Sequence, residues 1–128
     1  MRLLLDTHAF LWWLAGHSSL PGRVRAEIDT SGADVFVSAA STWEITTKYR
    51  LGKLPQAEPV ARDVMLIIES QQFTPLAISV KHGQLAGALA GHHRDPFDRM
   101  LVAQAQVEGV PVVTRDPAIA AHGVPTVW

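Results

Sequence analysis

The protein has 128 residues and a formal net charge of −1 at pH 7, a balance that neither indicates nor excludes a nucleic-acid partner. Its length supports one hydrophobic core, so a single domain over 1–128 is expected. With 48% hydrophobic and 18% charged residues, the composition excludes a disordered chain. The absence of cysteine excludes disulfides, thiolate nucleophiles and cysteine zinc sites.

Membrane and secretory signals are weak. The longest unbroken apolar run covers only residues 9–15, too short to span a membrane. Asp6 and His8 interrupt the apolar segment that a signal peptide would need. A cytoplasmic protein without membrane contact is therefore expected.

Apolar runs and turn signals predict strands and helices that alternate along the chain. In chain order, the prediction is a strand at 3–5, helices at 7–15 and 23–28, a strand at 35–39, helices at 41–51 and 59–71, a strand at 74–78, helices at 79–90 and from 95 to just before Gly109, and strands at 111–114 and 125–128. Pro75 marks its strand as an edge strand or a strand start. The pattern favours an α/β fold around a mostly parallel sheet of four to five strands.

Four acidic residues are predicted at the carboxyl edge of this sheet, where such folds bind ligands. Asp6 follows the first strand, and Asp116 follows the fourth. Glu44 lies in the first turn of the helix after the second strand. Asp98, with Asp95 beside it, begins the helix before the fourth strand.

Carboxylates gathered in one cleft repel each other, and a divalent cation removes that penalty. Oxygen ligands without cysteine favour Mg²⁺ or Mn²⁺ over zinc. Such an ion lowers the pKa of a bound water and neutralises charge on a phosphate. The pattern therefore indicates phosphodiester hydrolysis.

Each acid also has a purely structural interpretation. Ser41 and Glu44 fit a capping box, in which the glutamate bonds back to the N-cap amide. Asp95 followed by Pro96 fits a helix N-cap, and Asp116 is also a candidate turn or cap residue. The residues alone leave capping and metal binding both open.

Four segments together resemble the PIN-domain family, and more closely the VapC-type toxins of bacterial toxin–antitoxin pairs. In chain order they read Leu3-Leu4-Leu5-Asp6-Thr7-His8, Val37-Ser38-Ala39-Ala40-Ser41-Thr42-Trp43-Glu44-Ile45, Arg94-Asp95-Pro96-Phe97-Asp98-Arg99-Met100-Leu101-Val102-Ala103-Gln104-Ala105 and Val113-Thr114-Arg115-Asp116. The resemblance covers nearly the whole chain, with no departure at the acidic positions. It implies a three-layer α/β/α sandwich and a Mg²⁺- or Mn²⁺-dependent endoribonuclease.

The resemblance assigns roles to individual residues. Its catalytic and metal-binding quartet falls on Asp6, Glu44, Asp98 and Asp116. Thr7 and Thr114 look like the hydroxyl residues that support these acids, and Asp95, as the predicted helix cap, is expected to lie just outside the metal ligands. Glu44 is left with three roles: completing the metal site, helping to bind a second ion or orienting the attacking water. The expected products carry a 5′-phosphate and a 3′-hydroxyl. The expected partners are an RNA substrate, a cognate antitoxin protein and a second copy in a homodimer.

Six cations lie within ten residues of a predicted ligand and are candidate RNA contacts: Lys48, Arg50, Lys53, Arg94, Arg99 and Arg115. An ordinary solvated surface explains them equally well. Trp12 and Trp13 make the first helix apolar all round, which predicts either a partner interface or complete burial. His92 and His93 are predicted to lie in a loop.

Other α/β classes fit less well. A dehalogenase-like phosphotransferase needs a second aspartate at position 8, which is histidine here. A receiver domain needs a late lysine, and a dinucleotide-binding domain needs a glycine-rich turn. The remaining alternative is a non-catalytic metal- or RNA-binding regulatory module with the same fold.

Overall fold

Short buried aliphatic runs form a five-stranded sheet in the computed structural model, which describes residues 1–91 and 94–128. The strands are β1 to β5, at Leu3–Leu5, Val35–Ser38, Thr74–Leu76, Val112–Val113 and Thr126–Val127. The helices of the described residues are α1 to α8, at Thr7–Ala15, Gly22–Ser31, Ala39–Arg50, Glu58–Ala61, Val64–Ser70, Val80–Ala88, Pro96–Glu108 and Pro117–Ala120.

The strand order is β3-β2-β1-β4-β5, and each of the four pairings is parallel. The chain first builds β2 and β3 on one side of β1, then places β4 and β5 on the other side. The carboxyl ends of β1 and β4 therefore form the point where the strand order reverses, which is where open α/β sheets bind ligands. Pro75 lies in the edge strand β3, as predicted, because an edge tolerates a missing amide donor.

Helices cover both faces of the sheet because successive residues of β1 point in opposite directions. Leu3 and Leu5 belong to a core with Phe10 of α1, Ile28 of α2 and Ile68 of α5.

Leu4 points to the opposite core, which holds Leu101 and Val102 of α7 and Ile119 of α8. The α/β/α sandwich with a parallel sheet is therefore confirmed.

The main differences from the prediction concern three helices, and α6 also ends earlier than predicted, at Ala88. Helix α3 begins at Ala39 and not at Ser41, because the extended backbone of Ser38 places its hydroxyl to accept the amide of Ala40 at 2.9 Å. The single helix predicted over 59–71 is two helices, since Asp63 leaves helical geometry and caps α5 by accepting the amide of Leu66. Helix α2 is longer than predicted, at Gly22–Ser31.

The structure also contains one helix that was not predicted. Helix α8 is a short additional element that begins directly after Asp116. His92 and His93, predicted in a loop, lie outside the described residues. Within the parts of the chain that the structure describes, no helix combines the length and apolarity needed to cross a bilayer.

Candidate active site

The ends of β1 and β4 bring the first and last predicted acids to one place. The amide of Asp6 donates to the carbonyl of Val113 at 3.1 Å, so Asp6 lies directly beside the end of β4. Asp116 follows Val113 by three residues and begins α8. Two carboxylates separated by 110 positions in sequence thus share one edge of the sheet.

Asp6 is a buried carboxylate with several polar neighbours. Only 8% of the residue is exposed, and its Oδ1 accepts the amide of Ala9 at 2.7 Å as the N-cap of α1. Burial raises the pKa of Asp6, and the negative charge of Asp116 adds to that rise. A hydrogen bond from Thr114, the Ala9 amide and the charge of His8 partly oppose it. A buried carboxylate of this kind gains from a nearby cation.

Thr114 connects two of the acids. Its hydroxyl bonds to the Asp6 carboxylate and accepts the amide of Asp116 at 3.0 Å. Asp116 in turn accepts the amide of Ala118 at 2.9 Å as the N-cap of α8. Asp6 and Asp116 therefore cap their helices and also line the cleft, because a carboxylate has more acceptor positions than one cap uses.

Glu44 is held from two sides inside α3. It is 3% exposed, Thr7 Oγ1 donates to its Oε1 at 2.6 Å, and the ammonium of Lys48 pairs with its Oε2. The predicted capping box with Ser41 is wrong, because Ser38 caps the helix. Ser41 is buried inside α3, with its Oγ 3.0 Å from Thr7 Oγ1.

Lys48 brings a positive charge into the acidic cleft. Burial by itself lowers the pKa of Lys48, but the hydrogen bond and charge of Glu44 and the charges of Asp95 and Asp98 together raise it. The side chain therefore stays an ammonium ion at neutral pH. Lys48 follows Glu44 by four residues, a spacing that places two side chains on one helix face.

The start of α7 supplies the remaining acids. Asp95 Oδ1 accepts the amides of Phe97 at 2.9 Å and Asp98 at 3.2 Å, and Pro96 occupies the first helical position. Asp95 is therefore the N-cap, as its sequence context predicted. Asp98 is half-buried in the first turn of the same helix.

All four predicted acids, together with Asp95, line one cleft of about 460 Å³. Its other lining residues are Thr7, His8, Trp12, Lys48, Arg115 and Pro117. His8, Trp12 and Pro117 were not predicted as lining residues of this cleft. The spacing of four between His8 and Trp12 could have predicted that both residues lie on the same face of α1. That face borders the cleft.

The donor chemistry of the cleft fits a hard divalent cation. It offers carboxylate and hydroxyl oxygens, and the buried charge of Asp6 would be relieved by a positive ion. Among the described residues, no three histidine or acidic side chains stand close enough together to form a ready-made ion cage. An ion would have to draw the carboxylates inward and compete with Lys48 for Glu44.

The six predicted RNA contacts fall into three groups. Lys48 and Arg115 line the cleft. Arg50, Lys53 and Arg94 are exposed but are not among its lining residues.

Arg99 forms the third group. Its guanidinium donates to the carbonyls of Ala86 at 3.0 Å and Leu89 at 2.7 Å, and thus ties α7 to the end of α6. The structure gives this side chain a structural task.

The two tryptophans of α1 are both partly buried but have different neighbours. Trp13 Nε1 donates to Gln71 at 2.9 Å, and its ring lies against Arg25 and Phe73. Trp12 lies on the wall of the acidic cleft.

Comparison with known proteins agrees with this arrangement. A family model described as the PIN domain matches residues 3–124. Ribonuclease VapC16 of Mycobacterium tuberculosis is 40% identical over 58 residues, which are 45% of this chain and 41% of that protein. The chain thus aligns with less than half of the length of this curated relative.

Solved structures share the fold at low sequence identity. The crystal structure of VapBC2 from Rickettsia felis, bound to a DNA fragment from its promoter, matches with a TM-score of 0.72 and 14% identity over 99% of this chain and 98% of that one. A toxin–antitoxin complex from Klebsiella pneumoniae matches with a TM-score of 0.64 and 16% identity over 99% and 97% of the two chains.

Proposed function

Because the chain belongs to the PIN-domain family, we propose that it is a divalent-metal-dependent endoribonuclease and the toxin of a toxin–antitoxin pair. One observation carries the proposal: the four acids from distant parts of the chain line a single cleft at the reversal point of the sheet. The similarity to Ribonuclease VapC16 supports the same activity. Cytoplasmic RNA is the proposed substrate.

Asp6, Glu44, Asp98 and Asp116 would hold Mg²⁺ or Mn²⁺. When bound, the ion supplies Lewis acidity toward water and the phosphate oxygens. Thr7 keeps Glu44 oriented, and Thr114 does the same for Asp6.

Positive side chains complete the cleft. The ammonium of Lys48 binds the anionic backbone and positions a phosphate beside the acids, and Arg115 contributes a second cation to the cleft wall. Arg50, Lys53 and Arg94 extend this basic surface outside the cleft. Affinity for RNA should therefore weaken as salt is added.

The proposal is tested by incubating the purified protein with single-stranded and structured RNA in Mn²⁺, Mg²⁺ or excess EDTA. Cleavage is expected only with metal, and Asp98→Asn should abolish it. Asp63→Asn is the matched control, since Asp63 is an exposed N-cap of α5 outside the cleft. RNA binding without any cleavage would instead favour a non-catalytic regulatory module.

An antitoxin partner is supported by the likeness to the Klebsiella pneumoniae complex. We place its contact at α1, where the Trp13 ring is partly exposed. Induced expression should arrest the growth of a bacterial host, while the Asp98→Asn variant should not. Co-expression of a small DNA-binding protein encoded next to this gene should restore growth, and Trp13→Ala should weaken that rescue.

A homodimer is supported by an exposed apolar surface around Trp43, which is 60% exposed. Two grooves share this side chain, and their walls include Met65, Ile78, Phe97 and Met100. Burial of such a surface favours association. Sedimentation at micromolar concentration should give a dimer, and Trp43→Lys should give a monomer.

A further inference from the structure

A stack of aromatic and basic side chains forms one wall of the acidic cleft. The guanidinium carbon of Arg115 lies 4.6 Å from the centre of the Trp12 ring. The rings of His17 and Trp128 lie 5.7 Å and 5.9 Å from the same indole. Trp12 therefore has several ring neighbours, and the guanidinium of Arg115 lies over its indole.

The exposed part of this stack faces the same cleft as the acids. Trp12, His8 and Arg115 all belong to the cleft lining, and Arg115 directly precedes Asp116. His8 and Arg115 are exposed, whereas Trp12 is half-buried. A planar group that enters the cleft would meet the guanidinium of Arg115 next to the carboxylates.

We propose that Arg115, supported by Trp12, is a stacking platform for one unpaired nucleobase of the RNA, beside the phosphate that is cleaved. This inference rests on the proposed ribonuclease function. Guanidinium planes and aromatic rings stack on exposed bases, and every base offers such a face. Bases inside a duplex are already stacked on each other, so the preferred substrate is a single-stranded segment or loop.

A platform differs chemically from a simple phosphate contact. A lysine can replace an arginine that acts as a point charge on a phosphate, but not one that acts through its plane. Arg115→Lys therefore separates the two roles. Trp12→Phe keeps an aromatic surface under the guanidinium, whereas Trp12→Leu removes it.

The experiment measures kcat and KM for cleavage of a single-stranded RNA with one cleavage site. We expect Arg115→Lys and Trp12→Leu to raise KM by about 5- to 150-fold, the range typical of a stacked base. We expect Trp12→Phe to stay near the wild-type value. Arg62→Lys is the control, since Arg62 is an exposed partner of Glu58 outside the cleft.

A second arm places an abasic nucleotide at each position near the cleavage site in turn. At the stacked position, the abasic nucleotide should raise the KM of the wild type to the value of Arg115→Lys. In the Arg115→Lys variant, the same abasic substrate should raise KM no further. Equal losses in wild type and Arg115→Lys at every position would overturn the platform, as would an unchanged KM for Arg115→Lys.

The outcomes distinguish failure of the stacking platform from failure of the proposed ribonuclease function. If the wild type cleaves RNA but these variants behave like it, only the platform is wrong. If the wild type does not cleave RNA in any metal, the proposed function fails and the platform fails with it. The exposed position of Arg115 makes its lysine variant informative even if Trp12→Leu does not fold.

Discussion

Thr7 Oγ1 donates a 2.6 Å hydrogen bond to Oε1 of Glu44 and so joins the first residue of α1 to the interior of α3. Glu44 is only 3% exposed, and without this donor its carboxylate loses its neutral hydrogen-bond partner. Thr7→Val should therefore lower RNA cleavage by about 10- to 100-fold, as is usual for groups that orient metal ligands. Thr7→Ser keeps the hydroxyl and is the control. The single-turnover rate is the measurement, and equal rates for valine and threonine would contradict this role.

The second prediction concerns the ion pair between Lys48 and Glu44. Lys48→Met removes a cation that competes with metal for the carboxylate, so the affinity for Mn²⁺ should increase by up to about fivefold, or ~1 kcal/mol for a part-exposed pair. Cleavage should fall at the same time, because a phosphate contact is lost. Calorimetric titration with Mn²⁺ and kinetic assays measure the two effects separately. A weaker affinity for Mn²⁺ would show that Lys48 supports the metal site instead.

The third prediction follows from the raised pKa of Asp6. The folded protein holds the Asp6 proton more tightly than the unfolded chain does. The contribution of Asp6 to stability is therefore greatest below the ordinary pKa of 3.8 and is lost as pH rises through the raised value.

In EDTA, Asp6→Asn should thus be more stable than the wild type at pH 7, and the difference should shrink toward pH 4. The amide oxygen of asparagine can still accept the Ala9 amide, so the helix cap is kept. Thermal melts of both proteins between pH 4 and pH 7 provide the measurement. If Asp6→Asn were less stable than the wild type at pH 7, and the difference in stability grew as the pH rose, the charge of Asp6 would not be destabilising.

The fourth prediction concerns the scaffold. Ser38 caps α3 and its hydroxyl also bonds to the buried Gln104, so Ser38→Ala should cost about 2 kcal/mol of unfolding free energy. Chemical denaturation measures this cost. Ser70→Ala is the control, because the Ser70 hydroxyl bonds to a carbonyl at the exposed end of α5 and should matter little. An equal loss of unfolding free energy in both variants would mean that the Ser38 cap stabilises the fold no more than an exposed hydroxyl does.

The sheet was predictable because its strands are short aliphatic runs that end at polar residues. Leu3–Leu5 followed by Asp6 is such a case, and buried parallel strands leave this pattern in the sequence. The same rule placed Asp116 near Asp6, because the carboxyl ends of parallel strands share one edge.

The specific partners of distant side chains were not predictable: Thr7 was expected to support an acid, but the sequence did not show which one. The bond from Thr7 to Glu44 joins residues 37 positions apart, and only the packing of α1 against α3 brings them together. Ser38 and Ser41 were both suitable caps by residue type, and the backbone geometry at the end of β2 decided between them. The position of Trp12 in the cleft likewise depends on how α1 meets the loop after β4.

Direct titration with Mn²⁺ tests most sharply whether the gathered carboxylates form a divalent-cation site. The wild type should bind Mn²⁺, and Asp98→Asn and Asp116→Asn should each weaken binding by at least about tenfold. Asp63→Asn should bind as the wild type does. Equal Mn²⁺ affinity in all four proteins, or no binding by the wild type, would contradict a metal site in this cleft.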